Sequence, residues 1–401
     1  MEVEIGRGKK ARRAYGFDDI AIVPSRRTRD PDDIDITHTL GPYRFELPVL
    51  AAAMDGVVSP KTAVMINKLG GLGVLNLEGI WSRYEDAESK LEEIANAPAD
   101  LATRLMQEVY TEPIKPELIG RRIEEIKAEG SVTCGSLTPQ KVGDYHEVAL
   151  EAGLDILVIQ GTVISAEHVS QTVEPLNLKE FIADLAVPCI VGGCASYSTG
   201  LHLMRTGAVG VLVGVGPGAA CTTRGVLGIG VPQATAIADV AAARSQHMLE
   251  TGQYCNVIAD GGMRTGGDVS KAIACGADAV MIGSPLARGE EAPGRGYHWG
   301  MATFHPSLPR GTRVTTRQDG TLEQILLGPA TENDGTFNLM GALRTSMATC
   351  GYEDIPSFHR AEIMVAPSLQ TEGKQLQRSQ AVGMGSNGKS VISNGVAVAD
   401  D

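Results

Sequence analysis

The chain has 401 residues, 43% of them hydrophobic, and 35 Lys+Arg against 48 Asp+Glu give a net charge of −13. That length suits one large domain or two smaller ones, and the acidic balance excludes a broad nucleic-acid-binding surface, which needs clustered positive charge. There is no apolar run of about 18 residues to predict a membrane span, and MEVEIGRGKK at the N-terminus lacks an apolar signal segment.

Residues 1–45 read as an N-terminal arm and a lead-in to the first strand. Their basic run, GRGKKARR at 6–13, is the pattern of a solvated terminus. Seven cysteines, an odd number with no CxxC pair, argue against a disulfide scaffold and for a reduced, cytoplasmic protein.

From 46 to 365, short apolar runs alternate with helical patterns. In order they are LPVLAAAMD from Leu47, GLGVLNLEG from Gly71, VTCGSL from Val132, DILVIQGT from Asp155, VPCIVGGC from Val187, GVLVGVG from Gly210, NVIADGG from Asn256 and DAVMIGS from Asp278. Runs that are apolar throughout suit strands buried on both faces, as in parallel sheets. Between them, stretches such as KPELIGRRIEEIKAEG and GDVSKAIACGA space apolar residues by three and four and close on glycine. Eight such alternations predict an α/β protein with a single (β/α)8 TIM barrel. A doubly wound open sheet is the rival, disfavoured because no GxGxxG follows the first strand.

In a barrel the active face lies at the C-terminal strand ends. Those ends carry Met54–Asp55, Asn76, Gln160–Thr162, Gly192–Gly193, the loop around Cys221, Asp260–Gly262 and Gly283–Ser284. Two segments fall outside the barrel pattern. Residues 295–335, densest in Pro, Gly, Arg and Thr, read as an active-site flap. Residues 366–401 form a polar tail, predicted to be disordered from Gly385 on.

The stretch GVGPGAACTTRGVLGIGVPQ, 214–233, sets one cysteine among glycines and alanines. At the start of a helix, Cys221 would gain thiolate character, with Thr222, Thr223 and Arg224 in the first turn. A lone cysteine is also commonly a small core residue. The last two runs end in glycines suited to a phosphate: Gly261, Gly262, Gly283 and, beside them, Ser284. Asp260 at its strand end suits either a ribose diol or a helix cap. A thiol, a phosphate site and a diol site together imply a nucleoside monophosphate attacked at its base. There is no HxxxH or CxxC spacing for zinc and no GxSxG elbow.

The same loop resembles the catalytic loop of the IMP dehydrogenase/GMP reductase family. YGFDDIAIVPS, AAAMDGVVS, IADGGMRTGGDVSKAIACGADAVMIGSPLA and GRGYHWGM resemble other parts of that family in family order, over residues 14 to about 350. The likeness is strongest to the dehydrogenase-related subgroup of cyanobacteria and actinobacteria. The resemblance implies a TIM barrel assembled as a homotetramer. It implies Cys221 as the nucleophile for purine C2, and Thr223 as the residue that helps activate water or ammonia. For the substrate it implies Asp260 on the ribose, Gly262, Gly283, Ser284 and Tyr297 on the phosphate, Met54 against the base, and Gly300 and Met301 at its edge. It implies Gln160, Thr162, Gly214 and Gly216 beside an NAD cofactor. Carbonyls of Gly216, Gly218 and Cys221 would hold a monovalent cation such as K+.

Four departures from the family pattern matter. The interval from Asn76 to Val132 is too short for the family's regulatory CBS repeats. Ala219 stands where a phosphate-binding serine is usual, and Gln160 where an aspartate is usual. The flap is shortened and lacks the dehydrogenase's Arg-Tyr pair, and Arg310 aligns with the catalytic glutamate of the reductases. Arg310 or Arg313 is then the candidate water activator, or else both are phosphate or carboxylate anchors on the flap. The expected activity is NAD-dependent oxidation of IMP to XMP, in guanine nucleotide synthesis. NADPH-dependent GMP reduction and non-catalytic nucleotide binding are the alternatives.

Overall fold

The computed structural model describes residues 2–164, 176–300, 312–366 and 373–384. At its centre nine hydrogen-bonded segments form one parallel sheet. The two segments that end the sheet, Leu72–Gly73 and Leu75–Asn76, are halves of one strand interrupted at Val74. The sheet therefore closes on itself as a barrel of eight strands. We label these β1 (Val49–Ala51), β2 (the split strand), β3 (Cys134–Leu137), β4 (Ile156–Gln160), β5 (Cys189–Cys194), β6 (Gly210–Val213), β7 (Asn256–Asp260) and β8 (Ala279–Ile282). All eight apolar runs read from the sequence became these strands.

Continuous apolarity has its expected cause. Alternate residues such as Leu50, Ile156, Val158, Ile190, Leu212 and Ile258 fill the barrel interior. Their chain neighbours, among them Val49, Leu157, Ile159, Val191, Val211 and Val257, face the surrounding helices in a separate core cluster. Both faces of every strand are dry, so polar alternation would strand unpaired groups in the core. The hairpin His38–Leu40/Tyr43–Phe45 places Leu40 and Phe45 in the interior cluster.

The helices after the strands are Pro60–Lys68, Pro116–Ala128, Val142–Glu151, Leu178–Asp184, Tyr197–Met204, Gln233–Thr251, Gly266–Ala274 and Leu339–Thr349. The helix predicted in KPELIGRRIEEIKAEG runs Pro116–Ala128, with Gly130 at φ +70 just beyond its end. Two further helices, Ala87–Asn96 and Ala99–Val109, fill the interval between β2 and β3. Near the C-terminus, Ile363–Val365 pairs antiparallel with Ile20–Ile22. Part of the predicted polar tail is helical, at Lys374–Ser379; the segment from Gly385, predicted to be disordered, lies outside the described residues. Among the described residues no helix is long and apolar enough to cross a membrane.

Candidate active site

Strand register brings the predicted residues to one end. Gln160 on β4 pairs with Gly192 on β5, and Asp260 on β7 pairs with Met281 on β8. Across this mouth Gln160 Nε2 donates to Asp260 Oδ2 at 3.1 Å. A residue expected beside the cofactor and one expected on the ribose are thus in direct contact. Burial pushes the Asp260 carboxyl up to about 7, while the Gln160 hydrogen bond pulls it back down. Gln160 Oε1 is buried with no hydrogen-bond partner among the described residues. Thr162 lies just beyond, half-buried.

The cysteine loop follows β6. Its helix is shorter than expected: Thr222 is the N-cap, the helix runs only Thr223–Leu227, and Gly228 ends it at φ +67. Cys221 therefore precedes the helix, and so short a helix supplies little dipole. The group touching the sulfur is Thr223: the Cys221 thiol donates to Thr223 Oγ1 at 3.2 Å, and Thr223 is fully buried. All seven cysteines are free, and Cys221 is the one that is exposed. Burial pushes the Cys189, Cys194 and Cys275 thiols up to about 12, and those of Cys134 and Cys255 further still. The reading of Cys221 as a core residue is thereby excluded.

Two side chains that sequence reasoning had not assigned hold this loop. Arg224 spans it, donating to the carbonyls of Val215 at 3.4 Å and Val231 at 2.7 Å. Gln233, nearly buried at the start of its helix, donates through Nε2 to Val213 O, Asp260 O and Gly261 O. It ties the ends of β6 and β7 together. Glycines complete the packing. A Cβ on Gly214 would strike the Asp260 carbonyl, and one on Gly262, at φ +82, would sit 2.9 Å from Pro217 Cβ. Gly218 faces open space. The Gly218 carbonyl accepts the Cys221 N–H at 3.0 Å. Of the carbonyl set proposed for a monovalent cation, Gly216, Gly218 and Cys221, that of Gly218 is thus engaged in a local turn and keeps one further lone pair. Among the described residues no group of three or more His, Cys, Asp or Glu could hold a metal ion.

Met54 after β1 covers Gly283 after β8; a Cβ on Gly283 would lie 2.6 Å from Met54 Sδ. Ser284 Oγ is 2.7 Å from His298 Nε2. The root of the flap is a short antiparallel pair, Tyr297–His298 with Val314–Thr315. Arg313 lies over the Tyr297 ring, 4.1 Å from its centroid. Its guanidinium donates to the carbonyls of Ile94, Ala95 and Ala97 at the end of helix Ala87–Asn96. This corrects the reading of Arg313 as a candidate water activator: its donors are committed to a helix C-terminus, the role of an anchor. Arg295 adds an ion pair to Glu92 on the same helix at 2.8 Å. Trp299 Nε1 donates to Tyr110 Oη at 2.8 Å, and Tyr110 donates to buried Asp55. Gly300 follows, half-buried, while Met301 and Arg310 lie outside the described residues.

Comparison with known proteins agrees with this geometry. The model of the IMP dehydrogenase / GMP reductase domain matches residues 14–375. An "uncharacterized oxidoreductase" of Mycolicibacterium smegmatis is 48% identical over 372 residues, covering 90% of this chain and 99% of that protein. The inosine-5'-monophosphate dehydrogenase of Borreliella burgdorferi is 31% identical over 303 residues, 71% of this chain and 72% of that protein. A crystal structure of an IMP dehydrogenase/GMP reductase-like protein from Corynebacterium glutamicum superposes with a TM-score of 0.86 at 46% identity, covering 91% of this chain and 97% of that one. The chain is an oxidoreductase of the IMP dehydrogenase/GMP reductase family.

Proposed function

We propose that the protein oxidises IMP to XMP with NAD as hydride acceptor. The observation that carries this reading is Cys221, the exposed thiol among seven, seated against Thr223 in a glycine loop that follows β6, at the barrel end where β7 and β8 close on Asp260 and Ser284. Its sulfur adds to C2 of the hypoxanthine ring, making that carbon tetrahedral so that hydride can leave with its electron pair. The resulting thioimidate on Cys221 is hydrolysed by water, whose oxygen becomes the C2 carbonyl of XMP as the thiolate departs.

The residues that would hold the cofactor are Gln160, Thr162, Gly214 and Gly216. They fit it: the orphaned Oε1 of Gln160 is a buried acceptor suited to an amide N–H, and Gly214, buried against the Asp260 carbonyl, lets the ends of β6 and β7 pack closely beside it. Bound there, NAD supplies a two-electron acceptor. Asp260 accepts the ribose hydroxyls. Ser284 and the glycines Gly262 and Gly283 receive the phosphate with Tyr297, and Met54 packs on the base. Thr223 and Arg310 are the residues proposed to prepare the water. Reduced, unpaired cysteines suit a cytoplasmic enzyme, and the family's homotetramer is the assembly proposed for it. No step is assigned to a cation.

The test is a paired assay: IMP with NAD, and GMP with NADPH, following the reduced-nicotinamide absorbance. Appearance of the band with IMP and NAD supports the proposal. Its loss with GMP and NADPH instead makes the protein a reductase. Nucleotide binding without turnover, unchanged in Cys221→Ala, makes it a non-catalytic binder.

A further inference from the structure

Three consecutive residues at the flap root are each fastened to a different part of the molecule. Tyr297 lies under Arg313, His298 meets Ser284, and Trp299 reaches Tyr110. The middle contact has a chemical consequence for the site. His298 is 1% exposed, and its backbone is fixed by pairing with Val314 and by Gly56, where a Cβ would come within 3.2 Å of His298 Cα. Its Nε2 is 2.7 Å from Ser284 Oγ, and its Nδ1 is buried with no hydrogen-bond partner among the described residues.

Burial lowers the His298 pKa to about 4, so the ring is neutral at physiological pH and carries one proton. With that proton on Nδ1, a buried N–H would have no acceptor, and the Ser284 hydroxyl would have to spend its single proton on Nε2. With the proton on Nε2, the ring donates to Ser284 Oγ and only a lone pair on Nδ1 is left unused. Orphaned buried N–H groups are the rarer outcome in folded proteins, so the tautomer assigned from this network is Nε2–H. A serine hydroxyl has one donor and two acceptor sites. Once it accepts from His298, its proton is free for the barrel mouth.

We propose that His298 is a positioning residue, holding the Ser284 hydroxyl as a hydrogen-bond donor to the phosphate of a purine nucleoside monophosphate. The proposal rests on the phosphate role given to Ser284 in the proposed function. The hydroxyl is directed before ligand arrives, so little rotor freedom is lost on binding. It also offsets the contact that the family resemblance expects at position 219, where Ala219 supplies no hydroxyl.

Calorimetric titration of IMP and of inosine, which lacks the phosphate, tests this in the full-length protein. Ser284→Ala and His298→Phe are each expected to weaken IMP about tenfold, the scale of one hydrogen bond to a charged group. Inosine affinity is expected to stay unchanged, the double variant to be no worse than either single one, and His298→Gln, which returns an N–H, to restore IMP binding. Loss of IMP and inosine affinity alike, or additive losses in the double variant, would assign His298 a purely structural role and overturn the proposal. Nitrogen NMR of the wild-type imidazoles, with His298 assigned through His298→Gln, reads the tautomer without relying on a foldable Phe variant; a proton on Nδ1 also overturns it. Wild-type protein that binds no purine nucleoside monophosphate sinks the proposed function itself. Wild-type binding with an unchanged IMP/inosine preference in His298→Phe sinks only the role of His298.

Discussion

Gln160 on β4 and Asp260 on β7 meet across the barrel mouth at 3.1 Å, a neutral amide donating to a carboxyl that burial has pushed up to about 7. A carboxylate at position 160 would set two like charges at this distance and push one pKa further up. The amide instead leaves Asp260 to titrate near neutral pH.

Ligand affinity should therefore depend on pH through Asp260. Diol hydroxyls donate to the ionised carboxylate, so binding strengthens as pH rises through about 7 and levels off above it. Inosine is the ligand to use, because it carries no phosphate titrating near about 6. Asp260→Asn should flatten the profile and bind weakly throughout. In the free protein the raised pKa works the other way: its contribution to stability is full below the ordinary 3.8 and is lost as pH rises through about 7. A profile unchanged by Asp260→Asn would refute the assignment.

Alkylation should single out one thiol. Six cysteines are buried or partly buried and all six have raised pKa values, so iodoacetamide is expected to modify Cys221 first, with one equivalent taken up rapidly. Mass spectrometry of the peptide 214–224 reads this, and IMP should protect it. Cys221→Ala should abolish turnover, by about 10^3-fold or more, while retaining nucleotide binding. Rapid labelling spread over several cysteines would contradict the burial pattern.

Arg313 should behave as an anchor. Arg313→Ala removes the donors that reach Ile94, Ala95 and Ala97 and the cover on Tyr297. A cost of about 1–2 kcal/mol in stability is expected, read by urea unfolding. Single-turnover hydride transfer and thioimidate hydrolysis should slow by a common factor as the flap root loosens. Selective loss of hydrolysis would return Arg313 to the role of water activator.

Tyr110 links Asp55 at the end of β1 to Trp299 at the flap root. Tyr110→Phe leaves the Trp299 indole N–H unpaired and deprives buried Asp55 of a donor. About 1–3 kcal/mol of stability should be lost, with a drop in melting temperature and a lower kcat. An unchanged melting temperature would show that the network is not a support for the flap.

Gly214 has no room for a methyl group, since a Cβ would strike the carbonyl of Asp260. Gly214→Ala must separate β6 from β7, disturbing Cys221 and Asp260 together. Both inosine binding and turnover should fall, whereas Gly218→Ala, which projects into open space, should preserve the fold. Equal behaviour of the two variants would overturn this packing.

Much of this site was readable from residue order because its parts lie at strand ends. Leu50, Ile156 and Leu212 point inward while Val49, Leu157 and Val211 point outward, so a parallel barrel leaves a period-free apolar run at each strand. Polar or glycine residues at the close of each run then mark the active face. Asp260 and Ser284 were picked out for that reason, and Cys221 by its glycine-rich loop and the family resemblance; the second strand's split at Val74 was not legible, because a one-residue break leaves the apolar run intact.

The sequence alone determined the barrel and the chemical types gathered at the C-terminal ends of its strands, because burial on both strand faces constrains composition locally. Only the tertiary structure decided the partners: Gln160 with Asp260, His298 with Ser284, and Arg313 with a helix end rather than with water. Positions 160 and 260 are brought together by barrel closure. A hydrogen bond between residues so far apart in the chain depends on strand register and side-chain direction, which no local pattern encodes.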